Sequence, residues 1–318
     1  MDKIEHRNIP INGLNMHVAE IGKGPLVLFL HGFPELWYSW RHQMLFLAER
    51  GFRAVAPDMR GYGDTTGAPL HEPSKFTIFH VVGDLILLLD AIGNEDDKVF
   101  VVGHDWGAMI AWMLCLYRPD RVKALVNLSV AFPRIHPQTS FVEASRRLFG
   151  DDYYISRFQE PGEIEADFAR IGAKEILKYV FAFRTPGPLF FPKNADPSYY
   201  AADRPPWLTE EDLGYYASKF QQSGFTGGVN YYRALDLSWE LHGAFVGAKI
   251  VVPTKFIVGD LDLTYHMPGV QDFIHKGEFQ KHVPSLKEVV VIEGAAHFIN
   301  QERADDINQH IHDFLTQF

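Results

Sequence analysis

Val101-Val102-Gly103-His104-Asp105-Trp106-Gly107 reads as a strand running into a sharp turn and then a helix, with a carboxylate at the apex. Gly103 and Gly107 stand two positions either side of Asp105, the spacing of the G-x-S-x-G turn that holds a nucleophile in a strained conformation above a sheet. The apex residue is an acid in place of a serine. A carboxylate carries its charge at neutral pH and needs no base to activate it, so a histidine partner is free to activate water in a later step. The flanks agree with this reading. Lys98 to Val102 is a short β-branched and aromatic run, and Ala108 to Leu116 is a nearly all-apolar stretch closed by Arg118-Pro119, as expected for a buried helix.

Working outward, strands and helices alternate. Asn12-Gly13 marks a hairpin within Ile9 to Glu20, expected at the antiparallel edge. Pro25 to Leu30 and Arg53 to Ala56 read as buried strands, with helices from Trp37 to Arg50 and from Phe76 to Ile92, the second ending at Gly93. Another strand is expected over Val122 to Val130. This rhythm predicts a mostly parallel, doubly wound α/β sheet. It breaks at Pro133 and returns at Lys249-Ile250-Val251, followed by strands at Thr254 to Val258 and Glu288 to Ile292. A final helix carries Ile307, Ile311, Phe314 and Leu315 on one face. Helical stretches at Pro161 to Phe181 and Trp207 to Gln222, with an irregular segment from Thr185 to Pro206, point to a helical lid over 133–246 inserted into a core of 1–132 and 247–318.

Composition narrows the function. The 318 residues are 47% hydrophobic and 14% aromatic, enough for a large core. A net charge of −10 without basic runs argues against nucleic acid or an anionic membrane as partner. Cys115, the single cysteine, lies inside an apolar helix and reads as a structural thiol. The polar start from Met1 to Arg7 does not resemble a signal peptide, and no apolar run reaches membrane-spanning length, so a cytoplasmic protein is expected. The sequon Asn127-Leu128-Ser129 falls in an expected buried strand. Monomer and homodimer both remain open.

In parallel sheets the reactive residues follow the carboxyl ends of strands. Four loops qualify: His31-Gly32-Phe33-Pro34 after Leu30, Asp105 after Val102, Gly259-Asp260-Leu261-Asp262 after Val258, and Glu293-Gly294-Ala295-Ala296-His297 after Ile292. Nucleophile, acid and histidine come in the chain order of the α/β-hydrolase triad. With Asp58-Met59-Arg60-Gly61-Tyr62-Gly63-Asp64 and the segments from Tyr154 to Gly162 and from Asn230 to Arg233, these motifs resemble the soluble epoxide hydrolases of the α/β-hydrolase superfamily, most closely the plant enzymes. The similarity covers nearly the whole chain.

The resemblance implies that Asp105 attacks an epoxide carbon to form an alkyl ester, and that Tyr154 and Tyr232 donate to the departing oxygen. Composition alone leaves Tyr153 and Tyr231 as rivals. The resemblance also implies that His297, oriented by Asp262, activates water, while spacing alone leaves Asp260 as an alternative. Backbone N–H groups of Phe33 and Trp106 are expected to form the oxyanion hole. His31, Gly32 and Pro34 are expected to shape that loop, and Glu35 either orders water or is a solvated surface carboxylate. Phe33, Trp106, Phe190 and Phe191 suggest a roomy apolar cavity. The partners implied are a small-molecule epoxide and water, with no cofactor or metal. A haloalkane or haloacid dehalogenase shares the nucleophile and histidine, and a non-catalytic small-molecule receptor on the same fold is the reading of a different class.

Overall fold

The computed structural model describes residues 3–93, 98–133 and 140–318. Its centre is an eight-stranded sheet in the order β1-β2-β4-β3-β5-β6-β7-β8. The strands are β1 (Glu5–Ile11), β2 (Leu14–Ile21), β3 (Leu26–Leu30), β4 (Arg53–Pro57), β5 (Val99–His104), β6 (Val122–Leu128), β7 (Thr254–Gly259) and β8 (Leu286–Ile292). The β1–β2 hairpin forms the antiparallel edge, and every pairing from β4 through β8 is parallel. The hairpin turn explains itself, because Asn12 and Gly13 take φ of 49° and 79° and a two-residue turn of this hand needs positive φ at both positions. Side chains of β3 and β5 are buried throughout, as strands covered on both faces must be.

Helices α1 (Arg41–Ala48), α2 (Ile78–Ile92) and α3 (Trp106–Tyr117) connect the first strands. The segment expected to be helical from Trp37 begins as a 3-10 turn over Trp37–Trp40, and α2 follows another over Pro73–Phe76. Cys115 and Asn127 are both buried, and Asn127 Nδ2 donates to the Ala108 carbonyl of α3 at 2.9 Å, so the sequon is part of the core. Between β6 and β7 come α4 (Phe141–Phe149), α5 (Tyr154–Arg157), α6 (Glu163–Ile171), α7 (Ala173–Phe181), α8 (Glu210–Ser223), α9 (Thr226–Arg233) and α10 (Leu235–Leu241). Residues 134–139, at the start of the expected lid, lie outside the described residues. The chain closes with α11 (Val270–His275), α12 (Glu278–His282), α13 (Ile299–Glu302) and α14 (Ala304–Leu315). Among the described residues no helix is long and apolar enough to cross a membrane.

Two expectations change. The stretch from Pro161 to Phe181 is two helices, because Gly172 at φ 99° ends α6 and starts α7. Lys249-Ile250-Val251 is not a strand: Ile250 is buried and its N–H donates to the His282 carbonyl, outside the sheet ladder.

The strand order places the site. The chain runs from β3 to β4 on one side and then crosses to β5 on the other, so the loops after β3 and β5 diverge over the same crevice. His31-Gly32-Phe33 leaves β3 there, and Asp105 leaves β5.

Candidate active site

Asp105 occupies the turn between β5 and α3 at φ 53°, ψ −120°, a conformation costly for a residue with a side chain. Three glycines allow it. A Cβ on Gly107 would lie 1.9 Å from the Leu30 carbonyl oxygen, and one on Gly103 would lie 2.5 Å from the Gly107 carbonyl oxygen. A Cβ on Gly32 would lie 2.3 Å from both Cβ and Oδ1 of Asp105. This close approach lets the Phe33 N–H donate to Asp105 Oδ1 at 2.7 Å. Trp106 is the first residue of α3, directly after Asp105, so its N–H has no acceptor within the helix.

His297 stands between two carboxylates. Its Nε2 is 3.4 Å from Asp105 Oδ2 and its Nδ1 is 3.0 Å from Asp262 Oδ1. Burial favours the neutral ring, but the charges and hydrogen bonds of Asp262 and Asp105 outweigh it and raise the His297 pKa. Burial pushes the Asp262 carboxyl up, and the facing His297 overrides this to hold it low. Of the two acids after β7, Asp262 is the one within hydrogen-bond distance of His297, whereas Asp260 Oδ1 is buried without a hydrogen-bond partner. An Asx turn sets the difference, in which the Thr264 N–H donates to Asp262 Oδ1 at 2.7 Å and the Thr264 hydroxyl donates at 2.9 Å.

Sequence reading missed Ser129. It follows the end of β6 at φ 73°, and its Oγ lies 3.0 Å from His297 Nδ1 and 3.3 Å from Thr264 Oγ1. The rule that pointed to the other four loops, applied to the carboxyl end of β6, identifies it as well.

The loop residues divide by task. His31 Nε2 accepts the Met59 N–H at 3.0 Å, so Nδ1 carries the hydrogen and donates to the Gly32 carbonyl at 2.9 Å. Burial lowers its pKa and keeps the ring neutral. The Phe33-Pro34 peptide is cis. Glu35 is fully buried, so it is not a surface carboxylate. Its Oε2 accepts the Gly32 N–H at 3.1 Å and His104 Nδ1 at 2.7 Å, and its Oε1 accepts Gln301 Nε2 at 3.2 Å. Burial works against the Glu35 charge, but His104 and the Gly32 N–H prevail and bring its pKa to about 2. His104 Nε2 in turn lies 2.8 Å from the His297 carbonyl oxygen.

Tyr154 begins α5 and Tyr232 lies near the end of α9, with ring centroids 5.6 Å apart and planes at 82°. Both helices are clamped to α6: Arg157 pairs with Asp167 at 2.6 Å and Arg233 with Glu165 at 2.7 Å. Helix α9 also docks on the core at its glycines, since a Cβ on Gly227 would meet the Gly61 carbonyl oxygen at 1.8 Å and one on Gly228 the Phe33 ring at 2.6 Å. That docking turns Tyr231 away to donate to the Arg60 carbonyl at 3.0 Å. Burial pushes both the Tyr154 and Tyr232 phenols well above their ordinary range, and the Asp105 charge adds to the effect, so both stay protonated.

Asp105, Tyr154 and Tyr232 together border two arms of cavity. The smaller, about 30 Å³, adds His297, Phe33, Phe158, Phe191, Leu263 and Phe298 among its walls. The larger, about 320 Å³, runs along Trp106, Met109, Phe132, Phe141, Phe149 and Trp239. Phe191 lines the smaller arm. Phe190 lines neither arm, because its backbone pairs with Tyr153 and alternation along the extended chain gives both of its neighbours, Leu189 and Phe191, to the smaller arm.

Comparison with known proteins agrees with this geometry. The α/β-hydrolase fold family matches residues 25–304. Epoxide hydrolase 2 of Siraitia grosvenorii is 58% identical over the whole of both chains, and epoxide hydrolase A of Mycobacterium tuberculosis is 36% identical over 98% of this chain and 97% of its own. The structure of potato (Solanum tuberosum) epoxide hydrolase I superposes with a TM-score of 0.97 at 61% identity, covering 99% of this chain and all of that one. Sheet order, elbow and identity over the full length leave one assignment: the chain belongs to the α/β-hydrolase family and, within it, to the epoxide hydrolases represented by these plant enzymes.

Proposed function

We propose that this protein hydrolyses an apolar epoxide to a vicinal diol through an ester on Asp105. The observation that carries the reading is the pair of protonated phenols, Tyr154 and Tyr232, bordering the same cavity as the Asp105 carboxylate. An epoxide carbon–oxygen bond breaks to an alkoxide, which needs donors; a halide leaves without protonation. Phe33 has no side-chain donor for a halide, and Trp106 supplies only one. The core, 1–132 and 247–318, carries the nucleophile and triad, and the lid, 133–246, carries the phenols.

Asp105 attacks a ring carbon, the C–O bond opens, and a lid phenol gives its proton to the alkoxide. Before this step His297 is an imidazolium held by two carboxylates. Ester formation removes one of the two charges, so the imidazolium sheds its proton, which restores the phenolate to phenol. Neutral His297 then takes a proton from water, Asp262 balances the new imidazolium, and hydroxide adds to the ester carbonyl. The oxyanion meets the N–H groups of Phe33 and Trp106. Collapse releases the diol oxygen with the proton from His297, and the Asp105 carboxyl then passes the proton left from water to His297, which restores both the carboxylate and the imidazolium.

The unequal arms fit this order of events. The arm beside His297 has room for a water or a methyl-sized group, and the larger arm takes a bulky apolar substituent. Incubation with an aryl epoxide and with a chloroalkane tests the reading: diol from the first and no chloride from the second is expected. Chloride release would establish a dehalogenase, and binding without turnover a receptor.

A further inference from the structure

We propose that Gln301 is a positioning residue that couples seating of lid helix α8 to the Glu35 carboxylate, and through it to the oxyanion turn and His297. The inference rests on the ester mechanism above. Gln301 is buried on α13, four residues after His297. Its Oε1 accepts Arg41 Nη1 at 3.0 Å and the hydroxyl of Tyr216, a residue of α8, at 3.1 Å. Its Nε2 donates to Glu35 Oε1 at 3.2 Å. The partners leave one orientation of the amide. A guanidinium and a phenol with its pKa raised by burial are donors and must face oxygen; a carboxylate must face NH₂.

Helix α8 also reaches the core beside this amide, where Asp212 pairs with Arg41 at 3.1 Å and accepts from the Tyr38 hydroxyl at 2.9 Å. Arg41 thus stays with the lid acid and Gln301, and Glu35 keeps His104 Nδ1 as its hydrogen-bond partner at 2.7 Å. The other groups facing Glu35 are the Gly32 N–H, Asn300 Nδ2 at 3.4 Å and the neutral His31 ring across the turn. Glu35 holds two parts of the site at once. The Gly32 N–H donates to its carboxylate, and its own N–H donates to the Gly32 carbonyl at 3.1 Å, closing the turn that aims the Phe33 N–H at Asp105. Through His104 it reaches the His297 carbonyl. Ester formation uses only the first of these; ester hydrolysis uses both. Loss of the amide donor should therefore fall mainly on hydrolysis.

Single-turnover tryptophan fluorescence with an aryl epoxide, which separates the two steps, tests this in Gln301→Met, Gln301→Glu and Tyr216→Phe between about pH 6 and about pH 9. Gln301→Met should slow hydrolysis by about 10- to 100-fold at every pH while ester formation changes less than about 3-fold. Gln301→Glu should create a pH dependence that the wild type lacks. At the acid end a proton shared between Glu35 and the introduced carboxyl replaces the amide N–H and hydrolysis is near normal; as pH rises the proton is lost and hydrolysis falls. Tyr216→Phe removes only the lid contact and should give a smaller loss in the same step with a similar melting temperature. A Gln301→Glu profile that tracks the wild type, or equal losses in both steps in Gln301→Met and Tyr216→Phe, would overturn the proposal. Failure of the wild type itself to form an ester or a diol would instead reject the reaction on which it rests.

Discussion

Replacing Gly32 by alanine probes the nucleophile without touching any group that reacts. The added Cβ would stand 2.3 Å from Asp105 Cβ and Oδ1 and 2.7 Å from its Cγ. Rotating the Asp105 side chain does not relieve the clash, because Cβ is fixed to the backbone of the elbow. Gly32 is not among the positive-φ glycines, so alanine suits its backbone and the effect is steric. Restoring van der Waals contact requires a separation of about 1 Å between the turn and the elbow, and a displacement of that size costs roughly 100-fold in a positioned reaction. The same separation stretches the 2.7 Å bond from the Phe33 N–H, whose loss is worth about 100- to 1,000-fold in the step that develops an oxyanion. Ester formation should slow at least ~100-fold, about 2.7 kcal/mol, while overpacking lowers stability by about 1–3 kcal/mol. Stopped-flow tryptophan fluorescence under single turnover measures the first, and thermal unfolding measures the second. A Gly32→Ala enzyme that forms ester at the wild-type rate would show that close approach of the β3 loop does not position Asp105.

Tyr154→Phe and Tyr232→Phe should each slow ester formation by about 10- to 1,000-fold and leave its hydrolysis much less affected; a double variant that opens epoxides normally would reduce both tyrosines to lid packing. Asp262→Asn should stall the enzyme at the ester and Asp260→Asn should not, as read from ester accumulation in denatured samples, and the reverse pattern would exchange their roles. His297, raised from 6.5 to about 10, stabilises the fold fully below pH 6.5, and this contribution is lost as pH climbs toward the raised value. Asp105→Asn removes one of its two carboxylates, so unfolding free energy should fall less between pH 7 and pH 9 than in the wild type, measured by urea titration at both values. An identical fall would mean that Asp105 does not hold the histidine proton.

Features that depend on backbone geometry were legible in the residues themselves. Asn12-Gly13 announces a turn with positive φ at both positions, and the glycines around Asp105 announce an elbow pressed against the β3 loop. What escaped depends on which way a side chain turns, or on partners far apart in sequence. Tyr231 and Tyr232 are adjacent on α9, and only the docking of Gly227 and Gly228 against Gly61 and Phe33 decides which of them faces the cavity. Asp260 and Asp262 differ by the Asx turn to Thr264. Glu35 looks like a solvated loop acid until donors from Gly32, His104, Asn300 and Gln301 converge on it, spanning more than 260 residues of chain. Ser129 hides because its role needs only a hydroxyl at the end of β6.

The proposed mechanism requires Asp105 to become covalently attached to the substrate. A single turnover with enzyme in excess over an aryl epoxide in ¹⁸O-water, with mass spectrometry of both the diol and the peptide carrying Asp105, tests it most directly. An unlabelled diol is expected in that first turnover, with heavy oxygen on the Asp105 carboxylate, left there by the water that cleaved the ester. Heavy oxygen in the diol with an unlabelled Asp105 would contradict it, showing that water attacks the epoxide without an enzyme ester.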